Sequence, residues 1–278
     1  MKRTTIFIVI SFLFCVTLSH AQQNTQANNP QQREVKWVNP EIKEMEGLAH
    51  RILKSNALGH EVGYVVWTPP DYAQKDGKRY PVIFFLHGMG GNETSDAASF
   101  SGYVAAAIED GLLPPVICVF PNGGLSGYRN AVEKMIIEEL IPTIDREYRT
   151  LAQAQSRVLT GFSMGGSGSM NLAIMYPELF CAVGSMGGRF RLSEQLMPAI
   201  EKAIPVWKKN NFGFFFVNGD NDRPETFNEF SALMNQNGIE NKLMILPDTG
   251  HDLGKYYSES SAHLFQLIKA RLKTDLLF

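Results

Sequence analysis

Cysteine is scarce in this chain: Cys15, Cys118 and Cys181 are the only three in 278 residues. No Cys or His pair stands at metal-ligand spacing, which argues against a zinc-stapled fold. Basic residues form no patch, so a nucleic-acid partner is not expected. The chain also lacks an internal repeat and a second apolar run of membrane length. The one long apolar stretch, Ile6 to Leu18, follows Lys2 and Arg3 and precedes Ser19-His20-Ala21. That order reads as an export signal over residues 1–21, cleaved before Gln22, with no integral membrane segment remaining afterwards. The expected location is periplasmic or extracellular. Setting aside Lys2 and Arg3 leaves 24 basic against 28 acidic side chains, a net charge of −4. Cys118 and Cys181 would then be the remaining cysteines. Both sit in apolar runs, and buried free thiols are favoured over a disulfide.

Residues 22–34 are rich in Gln and Asn, without apolar periodicity, and read as a disordered leader. Residues 35–278 have the length of one α/β domain. Short runs rich in Val, Ile and Phe predict strands over Val62–Thr68, Pro81–Leu86, Val116–Phe120, Arg157–Thr160, Cys181–Ser185, Gly213–Val217 and Lys242–Leu246. Helical spacing joins Val132, Ile136, Ile137, Leu140, Ile141 and Ile144, and again Leu264, Phe265, Ile268 and Leu272. Pro224 followed by Glu225 predicts another helix start. The alternation implies a mainly parallel, doubly wound sheet covered by helices on both faces. Between Gly188 and Asn211 there is room for one helix, not for a lid domain.

Sheets of this kind place their chemistry at the carboxyl ends of the strands. Gly161-Phe162-Ser163-Met164-Gly165 lies at such an end and matches G-x-S-x-G, the turn that lifts a serine above the sheet. Ser163 is the expected nucleophile. Ser167 and Ser169 fall inside the following helix and receive no chemical role. Gly166 and Gly168 are expected to let that helix pack closely on the strands. A serine needs a base, and the base needs a third group to hold its tautomer. Of the histidines after Ser163, His263 falls within a helix, whereas His251 follows the last strand and is the expected base. Asp220 and Asp222 both follow the Gly213–Val217 run; Asp222 is preferred as the acid. Asp248 and Asp252 read as turn or capping residues. The backbone N–H groups of Met164 and of Met89, in the loop His87–Gly91, are the expected oxyanion donors. His87 itself reads as a buttress of that loop. Asn122, Gly123 and Tyr128 are candidates to line an acyl or sugar pocket.

With "VWTPPDY", "YPVIFFLHGMGGNE", "VFPNGG", "MIIEELIPTIDREYRT", "GFSMGG", "VNGDND" and "LPDTGHD" in place, the chain resembles the esterase D-like α/β-hydrolases. The nearest likeness is to carbohydrate esterase family one, with its feruloyl and acetylxylan esterases and the enterochelin-type esterases nearby. The resemblance implies a secreted serine esterase acting through Ser163, Asp222 and His251, without cofactor, on small acyl esters or acylated carbohydrates. Two alternatives stay open: an acyltransferase of the mycolyltransferase type, and a catalytically inactive binding protein on the same scaffold.

Overall fold

The computed structural model describes residues 34–43, 45–75 and 77–273. The expected signal segment and nearly all of the expected leader lie outside them. From Val35 onward the described residues belong to one compact unit. No helix among them is long and apolar enough to cross a membrane.

Eight strands build one sheet: β1 (Leu48–Ser55), β2 (His60–Trp67), β3 (Val82–Leu86), β4 (Ile117–Pro121), β5 (Arg157–Phe162), β6 (Ala182–Met186), β7 (Gly213–Gly219) and β8 (Glu240–Leu246). Their order is β1-β2-β4-β3-β5-β6-β7-β8. The first two strands run antiparallel to their neighbours, and all other pairs are parallel. This is the α/β-hydrolase fold that the sequence predicts.

Strands β3 to β7 are buried along almost their whole length. That explains their unbroken apolar runs, since neither face meets water. One face is covered by α4 (Met164–Met175), α5 (Met197–Lys209), α6 (Asn228–Gln236) and the helical run from Ala131 to Glu147. The other is covered by α1 (Ala97–Glu109) and α7 (Leu253–Arg271). The run from Ala131 comprises α2 (Ala131–Lys134), a π-helical stretch (Met135–Leu140) and α3 (Ile141–Glu147). Its wide turn ends two residues before Pro142, which has no N–H to give to the preceding turn. Between β6 and β7 the chain forms the single helix α5, with no lid domain.

Two elements lie outside the expectations, and one expectation changes. β1 escapes the sequence pattern because it is an edge strand whose side chains are mostly half-buried or exposed. Its residues LAHRILKS show no clean alternation. α1 escapes it because its first turns are mostly alanine, serine and glycine around Phe100, which give weak periodicity. The helix expected at Pro224 starts later, at Asn228. Arg223 lies at φ 51°, and the Thr226 N–H closes a turn onto the Arg223 carbonyl. Pro224 therefore opens a turn rather than a helix.

Register brings the strand ends level. Leu86 lies opposite Gly161, Phe162 opposite Met186, Met186 opposite Val217, and Gly219 opposite Leu246. The loops leaving β3, β5, β7 and β8 therefore meet at one edge of the sheet.

Candidate active site

At that edge Ser163 has φ 55° and ψ −113°, a conformation that L-residues adopt only under strain. The Ser163 N–H donates to the Met186 carbonyl at 2.8 Å, and α4 starts at the next residue. The glycines around it answer to steric contacts. A Cβ on Gly165 would lie 1.8 Å from the Leu86 carbonyl oxygen, and one on Gly161 2.5 Å from the same atom. Both are contacts with the neighbouring strand, so the elbow is pressed onto the end of β3. We expect Gly165→Ala to cost about 3 kcal/mol, or roughly 10 °C in Tm, because neither partner is a movable side chain. Differential scanning fluorimetry measures this. Gly166 approaches Ser185 and the end of β6, as expected for close packing on the strands. Gly168 instead makes room for the Tyr128 ring, 2.5 Å from where its Cβ would be.

His251 leaves the loop after β8 and meets Ser163, its Nε2 2.8 Å from the serine Oγ. Its Nδ1 lies 2.6 Å from Oδ2 of Asp222. The imidazole also stacks on Phe162, with ring centroids 4.6 Å apart. Asp252, directly after it, caps α7 by accepting the Lys255 N–H, and so anchors the loop that carries His251. The three groups chosen from the sequence form one continuous hydrogen-bonded chain.

Asp222 is buried, and burial by itself raises a carboxyl pKa. Hydrogen bonds from His251 and Tyr256, with the charge of Arg223, outweigh burial and hold it below the usual carboxylate range. Tyr256 is the residue that the sequence reading misses. Its hydroxyl donates to Asp222 Oδ2 at 2.7 Å and accepts the Gly219 N–H at 2.9 Å. Nothing in the sequence marks it, because it looks like one more aromatic residue on the packed face of α7. We expect Tyr256→Phe to lower kcat about tenfold with little change in KM, since a hydrogen bond to a charged group is lost. Steady-state kinetics on an aryl acetate separates the two constants.

Asp220, the alternative acid, is exposed and accepts the N–H groups of Asp248 and Thr249 at 2.9 and 3.0 Å. It braces the loop after β7 against the loop after β8 and does not touch His251. His263 lies on α7 beside Lys242, away from the serine. His87 is buried; its Nδ1 lies 2.8 Å from the Gly88 carbonyl, and its Nε2 accepts the Gly123 N–H. Burial lowers its pKa, which suits a neutral buttress. The loop it supports runs past the serine: a Cβ on Gly88 would lie 3.5 Å from Ser163 Cβ. Met89, the next residue, and Met164 both line the cleft above Ser163. The first N–H groups of α4 have no partner within the helix.

The expected substrate-pocket residues require correction. Asn122 is buried and donates to Glu93 and to the Lys36 carbonyl. The Gly123 N–H is spent on His87, and the Tyr128 hydroxyl donates to the His87 carbonyl at 3.0 Å. All three hold the loops in place from beneath. Gly127 and Arg129, from the same segment, reach the cleft instead, with Arg189, Arg223 and Ser167. The cleft has a volume of about 440 Å³. Ser167, assigned no role from sequence, donates to the Ser163 carbonyl and accepts the Arg189 N–H. Cys118 and Cys181 are both free and buried. Burial pushes their thiols up, so neither is a competing nucleophile.

A profile of the family described as "Putative esterase" matches residues 55–250, a span that includes Ser163 and Asp222 and stops one residue short of His251. The chain belongs to this esterase family. An endo-1,4-beta-xylanase/feruloyl esterase of Xylanibacter ruminicola is 29% identical over 187 residues, 63% of this chain and 24% of that protein. An esterase of Mycobacterium tuberculosis is 33% identical over 145 residues, 49% of this chain and 31% of that protein. The match thus spans only a quarter to a third of these larger relatives. A CE1 ferulic acid esterase from Anaeromyces mucronatus shares the fold of this esterase, with a TM-score of 0.64 and 18% identity over 86% of this chain and 97% of the other.

Proposed function

We propose that this esterase is an exported serine hydrolase that removes acyl groups, acetyl or feruloyl, from plant polysaccharides or their oligosaccharides. The observation that carries the mechanism is the unbroken chain from Ser163 Oγ through His251 to Asp222 at the floor of an open cleft. His251 Nε2 takes the hydroxyl proton as Oγ attacks the ester carbonyl carbon. The oxygen of the tetrahedral intermediate turns to the N–H groups of Met89 and Met164. His251 returns the proton to the departing alcohol, which leaves an acyl-serine. Water, deprotonated by the same imidazole, then releases the acid and restores Ser163. Asp222 steadies the imidazolium in both halves of the cycle.

The substrate class draws on the xylanase/feruloyl esterase relative, on the absence of a lid over the cleft among the described residues, and on the exposed Met89 side chain at its lip. A bulky sugar can approach an unlidded serine. The Lys2-Arg3 pair before an apolar run supports export. The test is a panel of acetyl, butyryl and feruloyl esters, with acylated xylo-oligosaccharides, offered to the purified protein. Cleavage of acylated oligosaccharides supports the proposal. Activity confined to long-chain triglycerides overturns it, and transesterified product dominating over free acid when an acceptor alcohol is added reassigns the enzyme as an acyltransferase.

A further inference from the structure

Three arginines, Arg129, Arg189 and Arg223, line the cleft around Ser163; among the described residues that line it none is acidic, Asp222 lying buried behind His251. This is unexpected in a chain whose formal net charge is −2. Arg223 is partly neutralised, its Nη1 lying 3.0 Å from Asp222 Oδ1. Arg129 and Arg189 are exposed, and among the described residues neither has a carboxylate within ion-pair distance. Like charges gathered in one concave site repel each other and focus a positive field on whatever enters. Ester cleavage by serine, histidine and aspartate requires none of this charge.

The backbone that carries these arginines is fixed at each of the three positions. Arg129 is bracketed by Tyr128 and Asn130, at φ 59° and 55°. Asn130, with ψ −121°, has nearly the same backbone conformation as Ser163 and, like it, directly precedes a helix. Arg223 itself lies at φ 51°. Non-glycine residues in this region are strained where the conformation is rare, and they concentrate at functional sites. Arg189 is tied to the elbow through its N–H to Ser167 Oγ. Its neighbour Phe190 exchanges two 2.9 Å hydrogen bonds with Thr226, which fastens the Arg189 loop to the Arg223 loop. Three separate segments are thus fixed around one opening.

We infer that the cleft selects esters carrying a carboxylate close to the scissile bond, with Arg129 and Arg189 as the residues that determine this specificity. A guanidinium presents a planar fork of donors that matches a carboxylate. The inference rests on the proposed hydrolase reading and narrows its substrate class. The carboxylate can belong to the alcohol side, as in an acetylated uronic acid within a saccharide. It can also belong to the acyl side, as in the half-ester of a dicarboxylic acid.

Two matched pairs of substrates separate these sources: acetylated methyl glucuronoside against acetylated methyl glucoside, and the 4-nitrophenyl half-ester of glutaric acid against 4-nitrophenyl valerate. In at least one pair the acidic member should have kcat/KM higher by about tenfold or more, through KM. The Arg129→Gln/Arg189→Gln double variant should bring that ratio to within about twofold of unity, and the double Lys variant, which keeps the charge but loses the planar fork, should fall between it and the wild type. Raising NaCl from about 20 to about 500 mM should erode the preference in the wild type. Ratios near unity for both pairs, or a preference that survives in the double Gln variant, overturn the inference while leaving the hydrolase reading intact. Failure to cleave any of the four esters, with no fluorophosphonate labelling of Ser163, overturns the hydrolase reading itself.

Discussion

Replacing Ser163 by alanine should lower kcat for an aryl acetate by about 10⁵- to 10⁶-fold and abolish labelling by a fluorophosphonate probe. The proposed mechanism has one attacking atom, Ser163 Oγ, and no other nucleophile stands in its place. Cys118 and Cys181 are buried with their thiols held protonated. Ser167 Oγ is engaged by the Ser163 carbonyl and the Arg189 N–H. The fold should survive, because alanine carries the same Cβ and meets the same φ of 55° that serine already tolerates. A protein that melts like the wild type and neither turns over nor accepts the probe is the expected result. Labelling retained in the alanine variant would place the nucleophile elsewhere.

Asp222→Asn should cost up to about 10⁴ in kcat. Both carboxylate oxygens face donors: Oδ2 takes His251 and Tyr256, and Oδ1 takes Arg223. An amide must turn its NH₂ toward one side or the other. Turned to His251, it forces the tautomer in which Nε2 carries a proton and cannot receive one from the serine. Turned to Arg223, it keeps the tautomer but loses the negative charge that supports the imidazolium. Asp220→Asn, by contrast, should change kcat only a few-fold, since Asp220 bonds to the N–H groups of Asp248 and Thr249 and to the Asn221 side chain, not to His251. The reverse ranking of the two variants would reassign the acid.

The same carboxylate has a signature in stability. Its pKa is lowered from 3.8 in the folded protein, so its contribution to stability is complete above that unfolded value. The contribution disappears as pH falls through the lower folded value. Urea midpoints measured from about pH 5 to pH 2 should therefore fall less steeply in Asp222→Asn than in the wild type.

Much of this architecture can be read along the chain because its signals are local. A strand buried on both faces must be apolar throughout, so Val82–Leu86 and Gly213–Val217 announce themselves. An elbow pressed against a neighbouring backbone tolerates no Cβ at Gly161 or Gly165, and that requirement leaves a pattern five residues long. The edge strand Leu48–Ser55 faces no such constraint and leaves no pattern. For Asn122 and Tyr128, position in a loop at the correct sheet edge was legible, but the direction of the side chains was not. They point under the loop, and Arg129 points over it.

Chain order and strand-end position were enough to select Ser163, Asp222 and His251, because the fold presents successive strand ends at one edge whatever the intervening helices contain. Packing alone decided that Tyr256 backs Asp222, that Asp220 braces two loops, and that Arg129, Arg189 and Arg223 share one opening. Those contacts join residues dozens of positions apart through side-chain direction, and no periodicity or spacing in a linear chain encodes direction.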